Sequence, residues 1–220
     1  MFVEIVSDTI CPWCFIGKRR FERALAERPQ PALRIGWRPF QLNPEMPPGG
    51  IDRQDYLAQK FGGAERAGQV YDPIHDAGRS AGITFAFGKI RRTPNTINSH
   101  RLIHRAAESG AQDAMVEALF RAYFLEGQDI EGVESLATIA EGAGMDRAAV
   151  TAYLESDADI DTVKAEDAMA RRMGIQGVPC FIFNRKFAVS GAQEPAVFLK
   201  AFDMAVADER GETEEAEVER

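Results

Sequence analysis

The N-terminal hydrophobic pattern predicts a strand, a helix and a second strand. Residues 2 to 6 form a short apolar run, typical of a strand buried on both faces of a sheet. A helix should follow, because apolar positions recur at helical spacing and Pro12 suits a first helical position. Those positions are Cys14, Gly17, Phe21 and Leu25. Pro29 should end this helix, and residues 33 to 40 alternate as a second strand does.

From about Asp52 to Gly174 the pattern becomes helical. Three apolar stripes at helical spacing predict core-facing helices. They comprise Val116, Leu119, Phe120 and Tyr123; Val133, Leu136 and Ala140; and Val150 and Leu154, which follow the predicted N-cap Asp146. Loop signals interrupt this block at residues 82 to 88 and 91 to 96.

The C-terminal part predicts a β-hairpin and a last helix. The segments CFIFN and KFAVSG resemble strands, with Asn184 and Arg185 at the turn, and a helix should run from Pro195 to about Val206. The complete order predicts an α/β thioredoxin fold with a large all-helical insertion between its strand-helix-strand unit and its hairpin-helix unit. The expected domains are a discontinuous thioredoxin domain (residues 1–50 and 160–207), an inserted helical domain (51–159) and an acidic, disordered tail (208–220).

The composition and net charge of the chain bear on its partners and on its cellular compartment. The net charge is −8, but the tail holds seven acids and two bases, so the remainder carries only −3. A nearly balanced body without a basic run favours neither nucleic acid nor a membrane surface as a partner. The acidic start MFVEIVSD is unlike a signal peptide, so we expect a cytoplasmic protein, in which cysteines serve chemistry more often than structure.

The segment SDTICPWCFIGKRR carries the chemistry that the sequence indicates most strongly. With Cys11 as N-cap and Cys14 as the third helical residue, one turn brings both side chains to the same corner. The unpaired amides at the helix start favour the thiolate of Cys11, which makes it the expected nucleophile. Cys14 lies further inward and should resolve the mixed disulfide. The alternatives are two inert buried cysteines or half of a zinc site; beyond Cys180, the chain has only His75, His100 and His104 to complete such a site.

Pro179 gives a second signal, because it directly precedes a predicted strand in GIQGVPCF. An X–Pro bond becomes cis at a cost of only about 0.5–1 kcal/mol, so the Val178–Pro179 bond is a candidate for the cis isomer. In a thioredoxin-like fold such a proline faces the cysteine pair, and the backbone of Val178 pairs with an extended substrate. The alternative is an ordinary proline that opens a strand.

Several motifs together resemble the DsbA-like thioredoxin-fold oxidoreductases, in the cytoplasmic FrnE-like branch. They are VSDTICPWCFIGKRR, WRPFQLNP, PNTINSHRLIH, GIQGVP and FAVSGAQ, and the resemblance extends to about Val206. It implies Cys11 as nucleophile, Cys14 as resolving thiol and Pro179 as cis-proline, with the helical block above them. It also implies substrate contacts by Pro12, Trp13 and Val178, and brings Asn95, Thr96 and His100 towards the cleft.

Cys180 departs from that pattern, since a bulky apolar residue is expected after the proline. It is either a small buried apolar residue or a third thiol near Cys11.

The leading function is thiol–disulfide exchange with protein or small-molecule disulfides, without cofactor or metal and with glutathione as a candidate co-substrate. A glutathione-dependent enzyme of the kappa-class or hydroxychromene carboxylate isomerase type is the second, although those usually carry serine in place of Cys11. A thiolate metal-binding or redox-sensing module built on the three cysteines is the third.

Overall fold

A central four-stranded sheet joins the two ends of the chain. The computed structural model describes residues 1 to 218, apart from the side chains of residues 64, 65, 210 and 212–218. The strands of this sheet are β1 (Phe2–Ser7), β2 (Arg34–Pro39), β5 (Cys180–Phe183) and β6 (Phe187–Ser190), in the order β2-β1-β5-β6. β1 pairs parallel with β2 and antiparallel with β5, which places Val6 opposite Cys180. The predicted pairing of the outer pieces, and with it the predicted fold class, is confirmed.

Helices surround this sheet and fill the insertion. They are α1 (Pro12–Glu27), α2 (Arg53–Phe61), α3 (Ala64–Ser80), α4 (Ile97–Ala106), α5 (Gln112–Arg121), α6 (Val133–Gly142), α7 (Arg147–Glu155), α8 (Ile160–Arg172) and α9 (Pro195–Val218). A π-helical turn, Ala122–Glu126, continues α5. Asp146 caps α7 as predicted, because its carboxylate accepts the backbone N–H of Ala149 at 2.7 Å.

The two faces of the sheet are covered by different helices. On one face, Phe21 of α1 contacts Phe181 of β5 and Phe198 and Phe202 of α9, with ring centroids 5.3–5.8 Å apart. Phe15 of α1 stacks on Phe120 at 5.2 Å, so the same core continues into the inserted helices. On the other face, Ala170 of α8 packs in a smaller cluster with β-strand residues. That cluster contains Val6, Phe40, Cys180 and Ile182.

The hairpin turn has the predicted residues. Asn184 and Arg185 have φ of 48° and 59°, the left-handed backbone that a type I′ turn requires at both central positions. The side chain of Asn184 also accepts the Phe2 amide at 2.8 Å and donates to Ala205 O at 3.2 Å. This asparagine therefore ties the hairpin to both β1 and α9.

Two predictions about the fold are wrong in part. The insertion is not all-helical, because β3 (Ile51–Asp52) and β4 (Arg92–Thr93) pair antiparallel within it. Pro94 disfavours helical backbone at Thr93, and the side chain of Arg92 holds Gly50 O at 2.9 Å. The boundaries of the two domains remain a prediction.

The last helix does not end near Val206, and residues 208 to 218 are helical rather than disordered. Alanine and glutamate are strong helix formers, and ion pairs with the rest of the protein stabilise the helix at its first acidic residues. Asp208 pairs with Lys186 at 2.8 Å, and Glu209 pairs with the N-terminal ammonium group at 2.6 Å. Residues 219 and 220 of the predicted tail lie outside the described residues. Across the described part of the chain, we find no helix with the length and apolar character needed to cross a bilayer.

Candidate active site

The two cysteines lie where β1 gives way to α1. Cys11 is the N-cap, with the extended backbone that such a residue adopts, and Pro12 is the first helical residue. The Cys11 amide donates to Asp8 O at 3.1 Å, and the Cys14 amide donates to Cys11 O at 3.0 Å. This turn places the two thiols on the same side of the helix start, as the spacing predicts.

Both thiols are buried and unbridged, and their surroundings differ. Cys11 is 4% exposed and Cys14 is 1% exposed. Burial raises the pKa of Cys14 well above its usual value, and the hydrogen bond and charge of Cys11 raise it further. Hydrogen bonds from the Ser7 hydroxyl and from the Asp8 backbone oppose this rise. Cys14 therefore stays protonated in the dithiol form, as a resolving thiol should until it is needed.

The segment before β5 brings Val178 and Pro179 to the dithiol. The Val178–Pro179 peptide bond is cis, the isomer that the sequence predicts. The Cys11 thiol donates to Val178 O at 3.6 Å, a contact between residues 167 positions apart. Pro179 O accepts the Gly191 amide at 2.8 Å, which holds the segment in place. The Pro179 ring packs so closely on α1 that a Cβ atom added to Gly17 would lie 2.8 Å from Pro179 Cγ.

The residues between the cysteines form the outer side of the site. Pro12 is half-buried, and Trp13 is 36% exposed, which makes it one of the large apolar side chains at the surface of the protein. An exposed indole beside a cysteine pair offers an apolar contact surface.

The three residues from the PNTINSHRLIH motif lie at the start of α4. Thr96 and His100 are buried, and Asn95 is half-buried. Asn95 precedes the N-cap Thr96, and its side-chain oxygen accepts the Ile97 amide at 3.0 Å in an Asx turn. Thr96 accepts a hydrogen bond from Gln41 at 3.3 Å. Within the described residues, none of the three forms a hydrogen bond with a cysteine sulfur, so their predicted substrate contacts remain a prediction.

His100 nevertheless reaches the loop that holds Cys11. Its Nε2 lies 3.3 Å from Asp8 Oδ1, and both side chains are buried. The second carboxylate oxygen of Asp8 accepts the Leu42 amide at 2.7 Å. Asp8 thus connects α4, the segment after β2 and the helix start at Cys11.

The insertion also contributes residues that the sequence analysis missed. Arg53 of α2 donates to Thr93 Oγ1 at 3.1 Å and to the Tyr71 hydroxyl, and its guanidinium lies 5.5 Å from the Tyr56 ring centroid. Burial raises the pKa of Tyr71, the positive charge of Arg53 lowers this pKa, and the charge of the nearby Cys11 raises it further. In the part of the chain that is described, Arg53 has neutral oxygen partners and no salt bridge to a carboxylate. No motif marks these residues; the only available signal was the Arg53 and Tyr56 pair at i, i+3 after the N-cap Asp52.

Cys180 lies on the other face of the sheet. It is 6% exposed and belongs to the α8 cluster, whereas its neighbour Phe181 packs against α1. Burial raises the pKa of Cys180 as well. Among the side chains that the structure describes, no group of three or more His, Cys, Asp or Glu residues is placed to hold a metal ion. The arrangement therefore lends no support to a metal site built on the three thiols.

Comparison with known proteins agrees with this geometry. The family model described as "DSBA-like thioredoxin domain" matches residues 2–203. The structure resembles that of a "probable DsbA oxidoreductase" from Streptomyces coelicolor, with a TM-score of 0.85 and 34% identity, covering 94% of this chain and 90% of that one.

Two more distant structures share the fold. A 2-hydroxychromene-2-carboxylate isomerase has a TM-score of 0.68 and 16% identity, with 99% of both chains covered. The cytosolic disulfide reductase DsbM from Pseudomonas aeruginosa, in a structure with glutathione, has a TM-score of 0.55 and 19% identity, covering 97% of this chain and 100% of that one. At these identities the likeness concerns the fold.

Proposed function

Since the chain belongs to the family of DSBA-like thioredoxin domains, we propose that it is a thiol–disulfide oxidoreductase that uses Cys11 and Cys14. The observation that carries this proposal is the meeting of three elements at one point. Cys11 caps α1, Cys14 lies one turn inward, and Cys11 donates to Val178 O at 3.6 Å. A partly exposed backbone segment beside a nucleophilic thiol suits an extended peptide or a small disulfide.

The reaction takes two exchange steps. The Cys11 thiolate attacks one sulfur of the substrate disulfide, forms a mixed disulfide with it, and displaces the other substrate sulfur as a thiolate. Cys14 then loses its proton and attacks Cys11, so that the Cys11–Cys14 bond forms and the second substrate thiol leaves. Two electrons pass from the protein to the substrate. The reverse sequence oxidises a substrate dithiol, and the reduction potential decides the direction.

The surroundings favour a disulfide with an anionic group. Arg53 is half-buried, and among the described residues its guanidinium donates to the hydroxyl groups of Thr93 and Tyr71 and pairs with no carboxylate. Tyr71 in turn lies close enough to Cys11 for the charge of Cys11 to raise the pKa of the tyrosine. A guanidinium in this position can accept a substrate carboxylate in bidentate fashion. Glutathione, which has two carboxylates, is therefore our candidate co-substrate, and Trp13 would contact the apolar part of a larger substrate.

We also propose a cytoplasmic location and a redox-active disulfide that works without metal or organic cofactor. The likeness to a cytosolic disulfide reductase supports the location. The nearly balanced charge of the body supports partners other than nucleic acid or membrane.

A glutathione-dependent isomerase is the second candidate, because the likeness to the hydroxychromene carboxylate isomerase extends over 99% of both chains. The two functions differ in their need for Cys14, since isomerisation requires no resolving thiol. Isomerisation of 2-hydroxychromene-2-carboxylate with glutathione that survives Cys14→Ser would favour this candidate.

Insulin reduction and intact-protein mass spectrometry after exposure to oxidised glutathione test the oxidoreductase proposal. Cys11→Ser should abolish exchange, whereas Cys14→Ser should accumulate a glutathione adduct, because only the resolving step is lost. Cys180→Ala is the matched control and should behave as the wild type does, since its side chain faces the other side of the sheet. An adduct on Cys11→Ser and none on Cys14→Ser would reverse the assigned roles.

A further inference from the structure

The two faces of the central sheet are covered to different extents. α1 and α9 pack together against one face, whereas on the other face α8 lies beside β2 and β1. Ala188 and Ser190 of β6 belong to the α8 face, because they pair with Ile182 and Cys180 across the hairpin. Both β6 side chains are exposed. Within the described part of the chain, the β6 side of this face is therefore open.

An apolar groove runs along α8 on this open face. Its volume is about 460 Å³, within the range of roughly 300–1,000 Å³ that is typical of small-molecule sites. The apolar lining comes from β1, β5, α8 and the segment after α8: Val6, Met169, Ala170, Met173, Ile175 and Ile182. Met169 and Met173 are 51% and 60% exposed. The groove therefore presents flexible apolar side chains to solvent.

Four charged side chains complete the lining of the groove, and its two acids are already paired. Arg38 lies 2.9 Å from Glu4 and 2.8 Å from Glu166. Arg185 reaches Glu4 through Nε at 3.5 Å, but its guanidinium donates no hydrogen bond to any described residue. Its side chain is 71% exposed, so the terminal nitrogens of Arg185 can bind a further anion.

Arg185 also lines a second cavity, of about 420 Å³, at the Phe2 end of the sheet. There the guanidinium groups of Arg34 and Arg185 lie 5.6 and 5.7 Å from the centroid of the Phe2 ring. Arg34 is exposed and forms no ion pair with a described side chain. The two acids of this cavity pair with other cations. Two guanidinium groups on one aromatic ring are therefore accessible to an anion.

The strand register places both cavities on one strip of the sheet. Phe2, Glu4 and Val6 alternate onto the same face of β1, and Phe2 pairs with Arg34 of β2. Gly36 pairs with Glu4 and has no side chain to close the strip. At about 3.3 Å per residue, the strip from Phe2 to Val6 is about 13 Å long. An apolar groove that ends at two cations suits a ligand with an apolar chain and an anionic head.

We propose that this face binds one molecule of a long-chain carboxylate. Its alkyl chain lies in the groove against Met169, Met173 and Ile182, and its carboxylate lies between Arg34 and Arg185. Charge complementarity selects the anionic head, because each acid in the two cavities has a basic partner whereas the two arginines retain free donors. Guanidinium groups bind carboxylates in bidentate fashion. The helix that carries the dithiol packs on the opposite face, so this inference does not depend on the oxidoreductase function.

Isothermal titration calorimetry of the full chain with dodecanoate, below its critical micelle concentration, tests the proposal. The extended dodecanoate chain is comparable in length with the strip, and we expect one site per chain. Butanoate retains the carboxylate but has a short chain, and dodecyltrimethylammonium retains the chain but has a cationic head. Each should bind at least about 10-fold more weakly than dodecanoate. Added salt should weaken dodecanoate binding, because exposed charges are screened.

Variants at both ends of the site locate the ligand. Arg34→Gln and Arg185→Gln should each weaken dodecanoate binding by about 10-fold, the contribution typical of a hydrogen bond to a charged group. Met169→Glu should weaken it at least as much, because it places a charge beside the alkyl chain, while glutamate is a good helix former at this exposed position. Arg105→Gln and Met204→Glu are the matched controls. Arg105 is another arginine over an aromatic ring and Met204 is 57% exposed on α9, so both variants should bind as the wild type does.

Four results would overturn the proposal. They are no saturable binding of dodecanoate by the folded wild type, unchanged affinity in Met169→Glu, unchanged affinity in both arginine variants, and equal affinity for dodecyltrimethylammonium. A homodimer in sedimentation equilibrium that Met169→Glu dissociates and Met204→Glu does not would also overturn it, because a second copy would then cover the groove. None of these measurements uses the dithiol, so their failure is distinct from a failure of the oxidoreductase proposal.

Discussion

The contact between Gly17 and Pro179 can be disturbed by a single methyl group. In Gly17→Ala the new Cβ would lie 2.8 Å from Pro179 Cγ and 3.3 Å from Phe181 Cζ, whereas ordinary contacts begin at 3.4 Å. Pro179 must therefore move by at least 0.6 Å, or α1 must shift by as much. Overpacking of this kind costs about 1–3 kcal/mol, and Ala offsets about 1 kcal/mol by its better helix propensity. The expected net loss of stability is about 0–2 kcal/mol.

The same displacement should reduce activity more than stability. Moving Pro179 shifts Val178 O relative to the Cys11 sulfur, and a misplacement near 1 Å can cost about 100-fold in rate. We expect kcat/KM for insulin reduction to fall by about 10- to 100-fold, while alkylation of Cys11 by iodoacetamide stays within about 2-fold because the helix start is untouched.

Gly177→Ala is the matched control for this experiment. It lies in the same segment, but nothing stands within 4 Å of its added Cβ, so its turnover should equal that of the wild type. The melting temperature of Gly17→Ala should fall by no more than about 8 °C. Wild-type kcat/KM in folded Gly17→Ala would refute the view that the position of Pro179 controls substrate engagement.

Two further predictions concern groups away from the dithiol. Cys180→Ala should lower the free energy of unfolding in urea by about 1 kcal/mol. It should shift the reduction potential of the Cys11–Cys14 pair, measured in glutathione buffers, by less than about 30 mV, because the Cys180 side chain faces α8. A larger shift would place Cys180 in the redox site. Burial raises the pKa of Glu117, but Arg19 at 3.0 Å and Lys18 at 3.4 Å oppose this and bring it below its ordinary value. Its stabilising contribution is therefore present above the unfolded pKa of about 4.3 and is lost as pH falls through the folded value. Glu117→Gln should cost about 1 kcal/mol at pH 7, and its melting curve should approach that of the wild type near pH 3; an equal cost at both pH values would contradict this.

The sequence by itself determined the features that depend on neighbours along the chain. Pro12 and the CPWC spacing fixed Cys11 as N-cap and Cys14 one turn inward, because capping and helical periodicity act over three or four residues. The turn at Asn184 and Arg185 was predictable for the same reason. Local composition gave a wrong prediction for the last helix, because its acidic residues were expected to be disordered. In the structure they form ion pairs with the N-terminal ammonium group of Met1 and with Lys186.

Only the tertiary structure decided what surrounds the dithiol. Val178 reaches Cys11 across 167 residues, and His100 reaches Asp8 across 92, because β5 pairs with β1 and α4 packs beside the strand ends. The register that places Val6 opposite Cys180 also turned that thiol away from the site, since a shift of one residue would reverse every side chain of the strand. Pairing register and helix docking are settled by the burial of the whole core. The spacing of residues along the chain does not predict register or docking. The neighbours of Cys14 could therefore be identified only from the folded structure.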